Sequence, residues 1–394
     1  MSSDCLGEAR DRRIKRRSRN GCRNCKLRRV KCDEGRPQCK RCTSFGVLCN
    51  IVLVVPDLQP ITGDSEGLLA TRNRVQLRAP FTNAVWTTDG SYYYQLNAKC
   101  QDFITRYLGR SLITPDNHKM IQVNRELLAL AFTHPHLMHA SLAVAFAYDR
   151  YLNNSLGIGR TVEECYHSSQ STALFSKKLR EPITANEKDS IWGTAAALAL
   201  LSFASPDVGD TLESSWPIKP SEPTDLEWVR LSKGKMSLWP IVNPVRPDSL
   251  FLVMASTFAE MHSSLPEEGI DGIPTDLAAV CGLRDSSTID NNPYFNSAHA
   301  VSQILHLSDS QVTTGQTERF TRSIQGSFQS LLLEKDPVAL LLLYLWYRKA
   351  GRSIWWIGLR ARVECPAICL YLQRYHAENQ HVQAFLPGGV LANV

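Results

Sequence analysis

A chain of 394 residues with 43% hydrophobic and 21% charged side chains has room for a large buried core and a second, smaller module. Its net charge of +6 is unevenly placed: the first fifty residues hold fifteen Lys or Arg against five Asp or Glu, and the remainder holds 29 against 33. A polyanionic partner is therefore expected at the N-terminal end alone. Export and membrane insertion are not expected. Met1–Arg19 lacks the apolar run of a secretory signal, and the longest uncharged apolar stretch, Val338–Tyr347, ends at Arg348 after ten residues. The cysteines accordingly read as intracellular thiols rather than a disulfide framework.

In chain order, residues 1–19 form a basic arm. Arg10 to Arg19 carries seven Arg or Lys against the single acid Asp11, which suits a nuclear localisation signal, a tail on phosphate or the minor groove, or both.

Residues 20–50 are predicted to be a metal module. Six of the twelve cysteines, Cys22, Cys25, Cys32, Cys39, Cys42 and Cys49, follow the pattern C-x2-C-x6-C-x6-C-x2-C-x6-C, so that one three-cysteine set repeats at an offset of 17. A C-x2-C pair brings two thiolates to one tetrahedral metal from a single turn of chain. Two tetrahedral zinc ions need eight ligand positions, so six thiolates suffice if two of them bridge; two zinc ions per chain are expected. Three disulfides or a single zinc site fit less well, the first for want of an oxidising compartment and the second because two matching thiols would be left over.

The halves differ in charge. After Cys25 comes Lys26-Leu27-Arg28-Arg29-Val30-Lys31, and after Cys42 comes an uncharged run. The first half is thus expected to face double-stranded DNA, with Leu27 and Val30 packed inward from a short helix. Lys26, Arg28, Arg29, Lys31 and Arg23 are the candidate DNA contacts, Arg29 foremost for bases and Lys31 and Arg23 for phosphate.

These six cysteines, the basic run and Arg36-Pro37-Gln38 resemble the fungal Zn2Cys6 binuclear cluster transcription factors. The resemblance implies that Cys22 and Cys39 bridge, that Pro37 turns the chain between the halves, and that a CGG-like triplet is read through Arg28 and Arg29, with Lys26 close by.

Residues 51–91, broken by Pro56, Pro60, Gly63, Gly67 and Pro80 and without sustained heptads, read as a linker. From residue 92 to 394 apolar segments recur at helical spacing, at Leu127–Leu152, Ile191–Phe203, Leu250–Met261, Phe320–Leu333, Val338–Ala350 and Ile354–Tyr375, with a four-proline break at Ser205–Pro223. The fold class is therefore mainly α: a small zinc module and a large all-helical domain. Phe132–Ala140, Leu226–Arg230 and Lys233-Gly234 resemble the helical regulatory domain of sterol uptake control regulators. Within it, His134, His136 and His139 are expected to be structural, with Pro135 opening a helix; Cys365 and Cys369 to be inert thiols; and Tyr344, Trp346, Tyr347, Trp355 and Trp356 to be core.

Neither a phosphate loop nor a nucleophile elbow is present, and no enzyme activity is expected. The function expected is nuclear, sequence-specific regulation of RNA polymerase II transcription at CGG-type sites, of a secondary-metabolite cluster or of sterol or lipid genes. A ligand-sensing DNA-binding adaptor is the alternative. A homodimer through the C-terminal domain and a hydrophobic small-molecule ligand are the further partners considered.

Overall fold

The computed structural model describes residues 20–28, 30–45, 47–52, 57–58, 118–153, 159–206, 211–222 and 224–391. The basic arm at 1–19, Arg29, most of the linker at 51–91, and residues 92–117 lie outside the described residues. The chain divides into two compact units, 1–106 and 107–394.

The first unit holds two short helices, α1 (Arg23–Leu27) and α2 (Lys40–Thr43). The 17-residue offset is a structural repeat as well as a sequence repeat. Cys25 N donates to Cys22 Sγ at 3.3 Å and Cys42 N to Cys39 Sγ at 3.3 Å. Lys26 N reaches Cys22 O at 3.1 Å and Thr43 N reaches Cys39 O at 3.2 Å, while Val30 N and Val47 N close on Cys25 O and Cys42 O at 3.0 and 3.1 Å. Each half therefore uses its first thiol as the cap of its own helix.

The second unit is helical, and its described residues contain no strand, only an isolated bridge between Glu268 and Thr288. Its helices are α3 (His118–Ala131), α4 (Pro135–Leu152), α5 (Val162–Lys178), α6 (Lys188–Phe203), α7 (Glu227–Ser237), α8 (Trp239–Val242), α9 (Ala255–His262), α10 (Thr275–Val280), α11 (Phe295–Leu305), α12 (Thr314–Ser323), α13 (Gly326–Leu333), α14 (Pro337–Ser353), α15 (Trp355–Tyr375) and α16 (Gln380–Gln383). Local chemistry sets their starts. Pro135 opens α4 behind His134, Thr161 Oγ1 accepts from Glu164 N at 3.1 Å ahead of α5, and Asp336 caps α14 by accepting from Val338 N and Ala339 N at 3.0 and 2.8 Å.

Helix α6 (KDSIWGTAAALALLSF) has little polar surface and is packed by neighbours at both ends. At its start the buried Asp189 accepts from Arg246 Nη2, Ser249 Oγ and Leu250 N at 2.8, 2.8 and 3.0 Å. At its end the buried Arg360 and the largely covered side chain of Arg150 satisfy the last carbonyls: Arg360 reaches Ser202 O and Phe203 O at 2.9 and 2.8 Å, and Arg150 reaches Ala204 O at 3.0 Å. Cations at a helix C-terminus also complement its dipole. Each arginine has a buried carboxylate partner, Glu364 for Arg360 and Glu164, at 2.9 Å, for Arg150.

The aromatic group expected in the core is there. Tyr344, Trp346, Tyr347, Trp355 and Trp356 are all buried, and Trp346 lies parallel to Trp228 with centroids 6.5 Å apart. Helices α14 and α15 cross backbone to backbone: a Cβ on Gly358 would stand 2.6 Å from Gly351 O.

Three apolar segments are not single helices. Leu127–Leu152 breaks at Phe132–His134, because the residue before a proline avoids the α region. Phe320–Leu333 breaks at Ile324-Gln325, ahead of Gly326 at φ +53°. Leu250–Met261 starts as a 3-10 turn, Leu250–Met254, and continues as α9.

Candidate functional site

The described residues of the first unit form almost no apolar core beyond the cysteines. The buried ones are Gly21, the six cysteines, Val47, Leu48, Leu58 and the polar Asn24 and Asp57. Among them the thiols form two quartets: Cys22, Cys25, Cys32 and Cys39, and Cys22, Cys39, Cys42 and Cys49. In each, the sulfurs all lie within 4.8 Å of one another. The quartets share Cys22 and Cys39, whose sulfurs are 3.7 Å apart. Further separations are 3.5 Å for Cys22–Cys42, 3.6 Å for Cys25–Cys39 and 3.9 Å for Cys22–Cys32.

Four sulfurs about 2.3 Å from a tetrahedral zinc stand about 3.8 Å from each other, so these separations fit a metal cage and are far too long for disulfides. The thiol chemistry agrees. Burial pushes Cys22 up to about 11 and, with sulfur crowding, raises Cys25 and Cys42 further still. Cys32 is lowered, since N–H donors on Cys22 and Glu34 outweigh its burial. The three raised thiols, Cys22, Cys25 and Cys42, hold their protons unless cations stand among them, and a coordinated thiol gives up its proton.

Asn24 ties the two halves together, although no spacing or charge pattern in the sequence marks it. Its Nδ2 donates to Leu48 O at 2.8 Å, and its Oδ1 accepts from Asn50 Nδ2 and Leu58 N, both at 3.0 Å. These contacts carry the module's packing on to Leu58. In the connecting loop Glu34 sits at φ +54°, the Arg36-Pro37 peptide is cis, and Asp33 accepts from Lys40 N and Arg41 N at 3.1 and 3.4 Å, holding the start of α2.

The candidate DNA contacts separate. Lys26 and Lys31 are exposed. Arg23 pairs with Asp57 at 2.7 Å. The Arg28 guanidinium lies 3.6 Å from the centroid of Phe45 and donates to Arg41 O at 3.1 Å, so it fastens the first half to the second. Arg29 lies outside the described residues. Val30, expected to pack inward, is instead 38% exposed, because α1 ends at Leu27; the inward apolar residues come from the second half, Val47 and Leu48. That half is also not free of cations. Lys40 and Arg41 on α2 are exposed, and they stand in the sequence before Cys42, where a reading of the residues after it does not look.

In the helical unit, His136 Nδ1 meets Thr194 Oγ1 at 2.8 Å and His139 Nδ1 lies 2.8 Å from His167 Nδ1, all buried. Burial lowers His136 and His167 to about 4 and His139 to about 3, so these are neutral core histidines. Cys365 and Cys369 are half-buried, and desolvation pushes Cys365 up to about 12. An apolar cavity of about 110 Å³ lies among Trp192, Phe203, Trp228, Phe251 and Trp356. No helix among the described residues is long and apolar enough to cross a membrane.

Residues 20–53 match the family described as the fungal Zn(2)-Cys(6) binuclear cluster domain. The chain is 55% identical over 38 residues to sterol uptake control protein 2 of Saccharomyces cerevisiae, covering 10% of this chain and 4% of that protein. It is 51% identical over 47 residues to the aspercryptin biosynthesis cluster-specific transcription regulator atnN of Emericella nidulans, covering 12% and 8%. It is 56% identical over 34 residues to the Zn(2)-C6 fungal-type transcription factor afumD of Aspergillus fumigatus, covering 9% of each. The chain thus spans less than a tenth of the length of these relatives, and no solved structure matches it. Repeat, shared thiol quartets and family match agree: the chain carries, at residues 20–53, a fungal Zn(2)-Cys(6) binuclear cluster domain, which binds two zinc ions.

Proposed function

We propose that this protein is a nuclear regulator of RNA polymerase II transcription that binds double-stranded DNA at CGG-type sites through its zinc module. The observation that carries this reading is the pair of cysteine quartets sharing Cys22 and Cys39, set in a module with exposed cations and little other core. Cys22 and Cys39 would each serve both metals, and Cys25, Cys32, Cys42 and Cys49 one each. Bound zinc supplies the positive charge that keeps six adjacent thiolates ionised.

Arg29 is the proposed base reader, suited to guanine O6 and N7, with Lys26 and Lys31 beside it on phosphate or base edges. Arg28 and Arg23 act mainly within the module, since Phe45 and Asp57 already engage them. Lys40 and Arg41 add to the phosphate-facing charge. The named relatives suggest a secondary-metabolite gene cluster or sterol genes as targets. A hydrophobic ligand or a homodimer contact in the helical unit would supply the signal or the half-site spacing that one short module lacks; a ligand in the aromatic cavity would have to be small, because drug-sized ligands fill about 300 Å³ or more.

The test is binding of the zinc-loaded full chain to a duplex containing a CGG triplet and to one with that triplet scrambled. The reading expects strong preference for the first, lost on chelation and steeply weakened by salt. Equal affinity for both duplexes would reduce the module to a non-specific polyanion binder.

A further inference from the structure

A second cavity, of about 270 Å³, lies in the helical unit where the end of α6, the segment bearing Trp216 and Lys219, α7 and α15 meet. Four of its lining side chains carry polar atoms that are buried and meet no hydrogen-bond partner: Asp225 Oδ1, which has the Lys219 ammonium 3.1 Å away as an ion-pair partner, and the three donors Ser205 Oγ, Trp216 Nε1 and Trp228 Nε1. Trp216 and Trp228 are 3% and 1% exposed. A buried donor left unpaired costs stability, and here three come from separate segments of chain to one space. Elsewhere such a group occurs without the cavity; Trp346 Nε1 is equally buried and unpartnered, yet Trp346 is not part of this lining.

The chemistry of the unpaired groups limits what would complete them. An indole N–H donates and cannot accept, so the atoms facing Trp216 and Trp228 must be acceptors. The direction of the Trp228 ring is set by packing, against Phe203 at 4.5 Å edge to face and Trp346 at 6.5 Å in parallel. Charges along the wall are engaged already: Arg360 with Glu364, Lys219 with Asp225 at 3.1 Å, and Glu227 with Arg230. Arg160, also in the lining, is exposed and has no ion pair among the described residues. The interior thus asks for neutral or weakly charged acceptors, and Arg160 leaves room for an anionic end. The volume holds about nine groups of water size at about 30 Å³ each.

We propose that this cavity is a binding site for a small, acceptor-rich molecule, a carbonyl or carboxylate compound of about that many non-hydrogen atoms, held by the indole N–H groups of Trp216 and Trp228 and by Ser205. This goes beyond DNA recognition and differs from an apolar ligand in the aromatic cavity. It stands or falls independently of both.

The test uses the full zinc-loaded chain with 15N-labelled tryptophan, its indole signals assigned by single Trp→Phe substitutions. Two fragment panels are titrated in: neutral and anionic carbonyl compounds of six to ten or so heavy atoms, and amines of the same size. The expected result is saturable movement of the Trp216 and Trp228 indole signals with members of the carbonyl panel, none with the amines, and a stationary Trp346 signal. Ser205→Ala should weaken the response several-fold without lowering the melting temperature, and Ser205→Leu, by filling the space, should abolish it. If no carbonyl compound moves the two signals, or if the movement persists unchanged in Ser205→Leu, the cavity holds ordered water alone and the proposal is overturned.

Discussion

Arg28 offers a clear division between architecture and recognition. By position in the basic run it looks like a base reader, yet its guanidinium lies 3.6 Å from the Phe45 centroid and donates to Arg41 O at 3.1 Å. A cation over an aromatic face at a partly exposed site contributes about 0.5–1 kcal/mol, and the hydrogen bond about 1 kcal/mol. Arg28→Ala should therefore cost about 1.5–2 kcal/mol of folding coupled to metal, which is roughly a tenfold to thirtyfold loss of apparent zinc affinity. Phe45→Ala, which removes the cation–π contact but not the hydrogen bond, should cost about 0.5–1 kcal/mol, and the double substitution less than the two together, because both delete that contact. The assay is zinc competition against a chromogenic chelator, run beside DNA binding under zinc saturation. With metal in excess, Arg28→Ala should keep its preference for CGG over a scrambled duplex. Unchanged zinc affinity together with selective loss of the CGG preference would refute the reasoning and return Arg28 to the bases.

Arg29→Ala should do the reverse, leaving zinc affinity intact and removing about 1–3 kcal/mol of discrimination between the CGG and scrambled duplexes in the same binding assay; an equal drop on both would make it a phosphate contact. Asn24→Ala deletes three side-chain hydrogen bonds and strands Leu48 O and Leu58 N, so zinc competition should show a loss of about 2–4 kcal/mol, larger than that of Arg28→Ala. Arg360→Met leaves Glu364 buried without its cation and two α6 carbonyls without donors, so the helical unit should lose about 3–5 kcal/mol in denaturant melts, partly restored by Glu364→Gln. The buried histidines predict an acid dependence. Their pKa values are depressed, so below pH about 6.5 the unfolded chain binds protons that the folded chain refuses until pH about 4. Stability should therefore fall as pH drops through that window, by up to about 1.4 kcal/mol per pH unit for each histidine, and a melting temperature flat from pH 7 to 5 would contradict it.

The metal centre was legible because thiol spacing is a local property: C-x2-C pairs and a 17-residue repeat fix which sulfurs can meet before any fold is known. Helices such as α6 and α14 were legible for a related reason, since uninterrupted apolar segments bounded by Asp, Pro or Glu announce themselves. Helix α5 was not, because its sequence VEECYHSSQSTALFSKK is mostly polar and only Thr161 with Glu164 marks its start. Tertiary partnership stayed hidden throughout. Nothing near Arg28 says that Phe45 lies under it, nothing near Asn24 points to Leu58, and no pattern joins Ser205, Trp216 and Trp228 in one cavity. Those relations span long stretches of chain and depend on packing rather than periodicity.

The central claim is that six thiols hold two metals by sharing Cys22 and Cys39. The most direct measurement is zinc stoichiometry by native mass spectrometry of the full chain, wild type beside Cys39→Ser and Cys49→Ser. The account predicts two zinc ions in the wild type, retention of one in Cys49→Ser, whose loss touches a single quartet, and greater loss in Cys39→Ser, which leaves both quartets with three thiols. One zinc in the wild type, or Cys39→Ser and Cys49→Ser holding metal equally well, would contradict it.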